Sequence, residues 1–297
     1  MRSDFGESKF PERLVARFLL EYYSIWEKYF PGLNKRAHWH VIFLARTSGT
    51  AGISSRGLHR TLYGSYGTDI RTCIERVKDC HRDGFVKVFD ASNQECAPSA
   101  GCLVGPTDVL WECFDAHCRE TIEAICAAAG GDAARPRLAV HDETAISEIY
   151  RFFGACDQKW RETSEQVVRQ RGLTPAYRDD AMDHLVTYQY WAIVMLLWSA
   201  SPFGTDHGGP TALVVDEIIS RMWDRLRLGH LAIKERVANL IRWGFFAEET
   251  IKKHKAVSLT PQAGAAISSG LAEIMPLLAD LRDRLVPERG TISAHIA

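Results

Sequence analysis

The chain has 297 residues, enough for one large domain or two ordinary ones at ~100–200 residues each. Hydrophobic residues make up 46% and charged residues 25%, near the averages of globular chains, which excludes a chain that is disordered, collagen-like or coiled-coil throughout. The formal net charge is only −1, yet Lys35–Asp90 holds ten Lys/Arg against five Asp/Glu, and Thr211–Ser258 holds nine against six; two basic islands in an acidic frame predict two patches for a polyanion.

Met1 to Phe10 carries Arg2, Asp4, Glu7 and Lys9 and no apolar run, so it does not read as a signal peptide. The most apolar stretch, Trp191–Ala200, is shorter than the ~20 residues of a membrane span. The expectation is a cytoplasmic protein with no membrane partner. Its eight cysteines include no CxxC pair, and reduced thiols are expected.

The first predicted helix covers about Phe10–Phe30, where Phe10, Leu14, Phe18, Tyr22, Ile25 and Tyr29 form one apolar stripe and Pro31-Gly32 stops it. A second covers about Ala37–Arg46, and Ser54 or Ser55 caps a short helix to Tyr63. Gly64-Ser65 reads as a turn, and a further helix runs over about Thr68–Arg82 to Gly84. Phe85–Phe89 and Cys102–Val104 read as the two strands of a hairpin, and a helix from Thr107 reaches about Ala129. Gly130–Arg137 (GGDAARPR) has linker character. Helices are then predicted at about Asp142–Arg171, Arg178–Ser201, Leu213–Leu226 and Leu231–Arg242. A lysine-bearing hairpin follows, and Pro261 opens a last helix to about Leu285.

The two halves repeat one order of elements. Cys73–Val86, CIERVKDCHRDGFV, aligns without gaps on Ile233–Phe246, IKERVANLIRWGFF. Beyond the hairpins, Leu103-Val104-Gly105-Pro106 lines up with Ser258-Leu259-Thr260-Pro261. Such repetition means two related domains, expected at residues 1–129 and 145–297 with a linker at 130–144.

A helix, short helix, turn, helix and two-stranded hairpin make a helix-turn-helix with a β-wing. With the helix ends RDGFV and RWGFF and the Ser-Leu-Thr-Pro opening at Ser258–Pro261, the chain resembles the winged-helix fold, and most closely the MarR-type transcriptional regulators. The resemblance covers about Phe10–Ala129 and Ala145–Leu285. It implies a mainly α fold with small β-wings, two winged helix-turn-helix domains, and long helices packed as a pseudo-dimer. It also implies a DNA-binding transcriptional regulator whose partners are double-stranded DNA and a small-molecule effector, existing as a monomeric pseudo-dimer or a homodimer. Family likeness places Ser65, Tyr66, Thr68, Arg71 and Thr72 at the leading end of the recognition helix. Helical spacing puts Ile70, Cys73, Ile74, Val77 and Cys80 inward and Arg71, Thr72, Glu75, Arg76 and Lys78 outward, where arginine can read guanine edges and hydroxyls can reach phosphates. The expected DNA contacts are Arg56, Ser65, Tyr66, Thr68, Arg71, Thr72, Arg76 and Lys87 in the first repeat and Lys234, Arg236, Lys252, Lys253 and Lys255 in the second. The first wing, Phe89–Gly101, has no Arg or Lys, unlike MarR-type wings, and Leu231, Ala232 and Ala238 stand where the first repeat has Arg71, Thr72 and Lys78.

Trp26, Tyr29, Phe30, Trp39 and Phe43, with Tyr188, Tyr190, Trp191 and Trp198, read as core and interface or as the lining of an effector site. Cys96 and Cys102 flank the first wing, within reach of a hairpin disulfide. No phosphate loop, dinucleotide fingerprint, nucleophile elbow or zinc set is present in the sequence, so no enzymatic activity, cofactor or metal is expected. The alternatives to a DNA-binding regulator are a protein-interaction scaffold of tandem winged helices and a redox- or ligand-responsive sensor.

Overall fold

A computed structural model of the chain describes residues 11–66, 69–128, 143–185, 187–200, 212–226 and 228–285. They are mainly helical, with two small antiparallel sheets. In chain order, α1 (Pro11–Tyr29) and α2 (Arg36–Thr47) lead into β1 (Ile53–Ser54), α3 (Ser55–Tyr66) and α4 (Ile70–Arg82); β2 (Val86–Phe89), β3 (Leu103–Pro106) and α5 (Asp108–Ala128) follow. Then come α6 (Glu143–Gln170), α7 (Pro175–Leu185), α8 (Tyr188–Ala200), β4 (Leu213–Val214), α9 (Val215–Leu226) and α10 (His230–Arg242). The order ends with β5 (Phe246–Ile251), β6 (His254–Leu259) and α11 (Pro261–Leu285). The linker segment Gly130–Arg137 lies outside the described residues, and Glu143 and Thr144 already belong to α6.

Two compact units are present, Trp26–Arg119 and Met1–Ile25 with Glu120–Ala297. The division falls inside α1 and inside α5 rather than at the linker.

In the smaller unit, Trp26, Phe30, Ile42, Phe43, Leu58, Leu62, Val77, Phe85 and Phe114 form the core. Trp26 donates its indole N–H to the Leu33 carbonyl at 2.8 Å, which satisfies the polar end of a buried ring. The sheet has the order β1-β3-β2, with Ile53 opposite Val104 and Val86 opposite Pro106.

In the larger unit, α11 packs along α6. Gly270 makes this approach close, since a Cβ there would stand 2.9 Å from the Thr163 hydroxyl. α11 is long and apolar enough, by length and composition, to cross a membrane; Ala263, Ile267, Leu271, Ile274 and Leu278 on it are buried within the unit. Phe18 and Tyr22 of α1 lie against Phe152 and Phe153 of α6, with the Tyr22 and Phe153 rings stacked at 3.6 Å. The sheet has the order β4-β6-β5, which repeats that of the smaller unit.

Both units end the helix before the β2 or β5 strand in one way. Gly84 (φ +81°) and Gly244 (φ +87°) follow α4 and α10. The Phe85 amide bonds Cys80 and the Gly84 amide His81; Phe245 bonds Leu240 and Gly244 bonds Ile241. This is a Schellman termination, whose left-handed residue favours glycine. The hydroxyls of Thr107 and Thr260 then donate back to the Gly84 and Gly244 carbonyls (2.8 and 2.7 Å) and accept from the amides of Leu110 and Ala263. Thr107 is therefore the partner of Thr260, and the sequence alignment beyond the hairpins is out by two residues: Gly105-Pro106-Thr107 matches Ser258-Leu259-Thr260.

Other expectations are corrected. The helix predicted over Arg178–Ser201 is two helices, α7 and α8. Gly64 and Ser65 lie in α3, not in a turn. β1 and β4 were not predicted.

Candidate nucleic-acid interface

α4 is amphipathic, with Cys73, Val77 and Cys80 buried and Arg71, Glu75 and Lys78 exposed. Asp69 caps it, its Oδ1 accepting from the amides of Arg71 (2.7 Å) and Thr72 (2.9 Å). The Thr72 hydroxyl donates to Asp69 Oδ2 at 3.1 Å, so Thr72 serves the cap. These bonds, the Thr72 amide first, hold the Asp69 carboxyl below its ordinary range. Arg71 is left at the leading end of the helix, as expected. Ser65 and Tyr66 are not there: they belong to the end of α3, and only their backbone is described. Thr68 lies outside the described residues. Arg56 is exposed in the first turn of α3, and Arg60, which the sequence reading passed over, is exposed one turn later.

Arg76 is not outward. Its Nη1 donates to Asp79 Oδ2 at 2.8 Å, and the same oxygen accepts from His38 Nε2 of α2 at 3.0 Å. The Lys35 amide donates to His38 Nδ1 at 3.3 Å. The two bonds require a neutral imidazole with its proton on Nε2. Burial lowers the His38 pKa to about 4, so the ring is neutral at pH 7 and fully bonded.

The larger unit carries the matching clasp. Arg236 and Asn239 stand at the aligned positions of Arg76 and Asp79. Arg236 Nη2 donates to Gln189 Oε1 at 2.6 Å and Nη1 to the Ala232 carbonyl at 2.9 Å, while Asn239 Nδ2 donates to the Tyr190 hydroxyl at 3.0 Å. Arg236 therefore also ties its helix to the one behind it. The matched Glu-Arg-Val of the two repeats was the available signal: the arginine recurs because both units clasp α4 or α10 to α2 or α8. Arg46 is internal too, paired with Asp115 and lying 3.3 Å over the Trp111 ring. Part of the first basic island is thus spent inside the unit.

The two sheets end differently. β5 and β6 close in a two-residue turn, Lys252-Lys253, with φ of +48° and +72° between paired Ile251 and His254. Positive φ at both central residues is the type I′ hairpin requirement, which favours Asn-Gly. Both lysines are exposed; Lys255 pairs with Glu248 at 3.2 Å. A groove of about 420 Å³ lies between α10, the start of α9 and this hairpin, lined by Asp216, Lys234, Ala238, Glu248, Lys253 and Lys255 among others. The Lys234 side chain is exposed beside it.

In the smaller unit the expected hairpin arm is a folded-back loop. Asp90 Oδ1 accepts from the amides of Ser92 and Gln94, and the Cys96 amide returns to the Val88 carbonyl at 3.0 Å. Lys87 is exposed on β2, 5.7 Å from the Phe89 ring centre.

All eight cysteines are free, so Cys96 and Cys102 form no disulfide. Cys102 instead bonds Ser55 and the Ser99 carbonyl, each at 2.9 Å. Burial pushes Cys73 up to about 11 and raises Cys80, Cys96, Cys113, Cys118, Cys126 and Cys156 as well. These thiols are protonated at neutral pH, the less reactive form. Of the aromatic set, Trp26, Phe30, Trp39, Phe43, Tyr190, Trp191 and Trp198 are buried, with Trp191 stacked on Trp160 at 4.5 Å. No family model matches the chain, and no curated protein is significantly similar to it.

Proposed function

We propose that the protein is a duplex-DNA-binding transcriptional regulator whose units are both winged helix-turn-helix modules, α3–α4 with β2–β3 and α9–α10 with β5–β6. The observation that carries this reading is the Lys252-Lys253 turn. Two lysines occupy positions where Asn-Gly would be less strained, and the second of them, Lys253, borders a groove that also holds Lys234 and Lys255. A turn that keeps both cations in spite of its backbone has a use for their charge, and a phosphate backbone takes such charge without regard to sequence. In the smaller unit Arg56, Arg60 and Lys87 supply the corresponding charge. Arg71 is suited to a bidentate contact with guanine O6 and N7.

The test is anisotropy of a labelled duplex titrated with the full chain from low to physiological salt. Counterion release makes log affinity fall by about 0.9 per phosphate contact for each unit of log salt. Binding at low salt that weakens steeply supports the reading. Absence of binding at low salt, or binding indifferent to salt, overturns it. In a sequence-specific duplex, Arg71→Ala is expected to cost about 1–3 kcal/mol and to relax base preference.

A further inference from the structure

The two helices that would enter the groove differ in chemistry along one matched face. In α4 that face carries Arg71, Glu75 and Lys78, with Lys78 bonded to Glu75 at 2.7 Å. In α10 the same positions carry Leu231, Glu235 and Ala238, and Lys234 lies between them. Residues at this spacing of three and four fall on one side of a helix. Leu231 is 83% exposed, and Trp223, close by through its ring contact with His230 at 5.5 Å, is 49% exposed. A single exposed leucine needs no explanation. Here an apolar position is set among charges: Ala238 lines the groove with Lys234, Lys253 and Lys255, and with Asp216 and Glu248, the latter paired with Lys255. A surface that alternates methyl groups with lysines matches a duplex whose groove floor offers methyl groups and whose walls offer phosphates. The major-groove group recognised by apolar contact is the thymine C5-methyl. Glu235, on the same face, repels phosphate and accepts from the cytosine amino group, which favours an approach to base edges over one to the backbone.

We infer that α10 reads thymine methyl groups through Leu231 and Ala238, so that the larger unit takes a thymine-rich half-site while α4 takes one containing guanine. This rests on the DNA reading above and gives each half of the target its chemistry.

The experiment first selects preferred duplexes from a random library with the full chain, then replaces thymine by deoxyuridine one half-site at a time. Deoxyuridine keeps pairing and hydrogen bonding and removes only the methyl. Selected sites are expected to be asymmetric. Deoxyuridine in the thymine-rich half is expected to weaken binding about fourfold for each contacted methyl, the worth of one buried methylene-sized group. Leu231→Ala, an exposed change that leaves the core intact, is expected to weaken binding to thymine duplexes and to reduce the response to deoxyuridine. Arg71→Ala is expected to leave that response in place. Salt-dependent binding that ignores both deoxyuridine and Leu231→Ala overturns the inference and leaves the DNA reading standing; it is the result expected if Leu231 and Trp223 dock a protein. Failure to bind any duplex at low salt overturns both.

Discussion

At the scale of single residues, the helix-ending glycines and one buried histidine carry the clearest energetic consequences. Gly84 has open space around its missing Cβ, so Gly84→Ala meets only the conformational cost of positive φ, about 1 kcal/mol. At Gly244 a Cβ would also stand 3.0 Å from Arg171 Cδ, so Gly244→Ala is expected to cost more; chemical denaturation of the two variants ranks them. His38 makes stability pH-dependent. Its folded pKa of about 4 lies below the ordinary 6.5, so below pH 6.5 the unfolded chain binds a proton that the folded chain refuses. The contribution of neutral His38 is complete above about pH 6.5 and is lost as the pH falls toward 4, by at most ~1.4 kcal/mol per unit. The urea midpoint is expected to drop between pH 7 and pH 5, and His38→Gln to flatten that drop. The aligned clasp of the larger unit, Asn239 on Tyr190, contains no group that titrates in this window, because burial raises the Tyr190 pKa from its ordinary 10.

At the scale of elements, the second hairpin separates stability from binding. Replacing Lys252-Lys253 by Asn-Gly relieves two left-handed non-glycine residues. It is expected to raise thermal stability by roughly 1 kcal/mol while lowering DNA affinity and reducing the salt slope by about 0.9 per lysine that meets a phosphate. A melt and a salt titration on the same variant check both. The helices with one apolar stripe were legible in the sequence, because burial on one side leaves a period: α1, α4 and α10 match their predicted spans to within two residues. α8 was not separated from α7, since Gln189–Trp198 is buried on every side and an all-round apolar helix has no period to end. β1 and β4, two residues each, are strands only because β3 and β6 lie beside them, a cause far away in sequence. The candidate site was legible where charge and turn coincide, at Lys252 and Lys253. It was misread at Arg76 and Arg236, where helical spacing alone says outward but a long side chain curls back, Arg76 onto Asp79 of its own helix, which holds His38 of α2, and Arg236 onto Gln189 of α8.

At the scale of the whole molecule, the first fifteen described residues belong with the last helices rather than with the sequence that follows them. Phe18 and Tyr22 are buried against Phe152 and Phe153, and Tyr23 stacks on Tyr188 at 5.5 Å. Phe18→Ala is therefore expected to cost about 3–5 kcal/mol and to lower hydrogen-exchange protection in α6 and α8 more than in α4. The same pairing has a consequence for synthesis. The partners of Phe18 leave the ribosome roughly 130 residues after it, a delay on the order of 10 s at ~5–20 residues per second. Throughout that interval α2 to α4 and their sheet can assemble from neighbours already made, while the apolar side of α1 waits uncovered. The nascent chain thus carries a greasy uncovered segment while those roughly 130 residues are made, one that a chaperone must shield or that neighbouring polysomal chains will find.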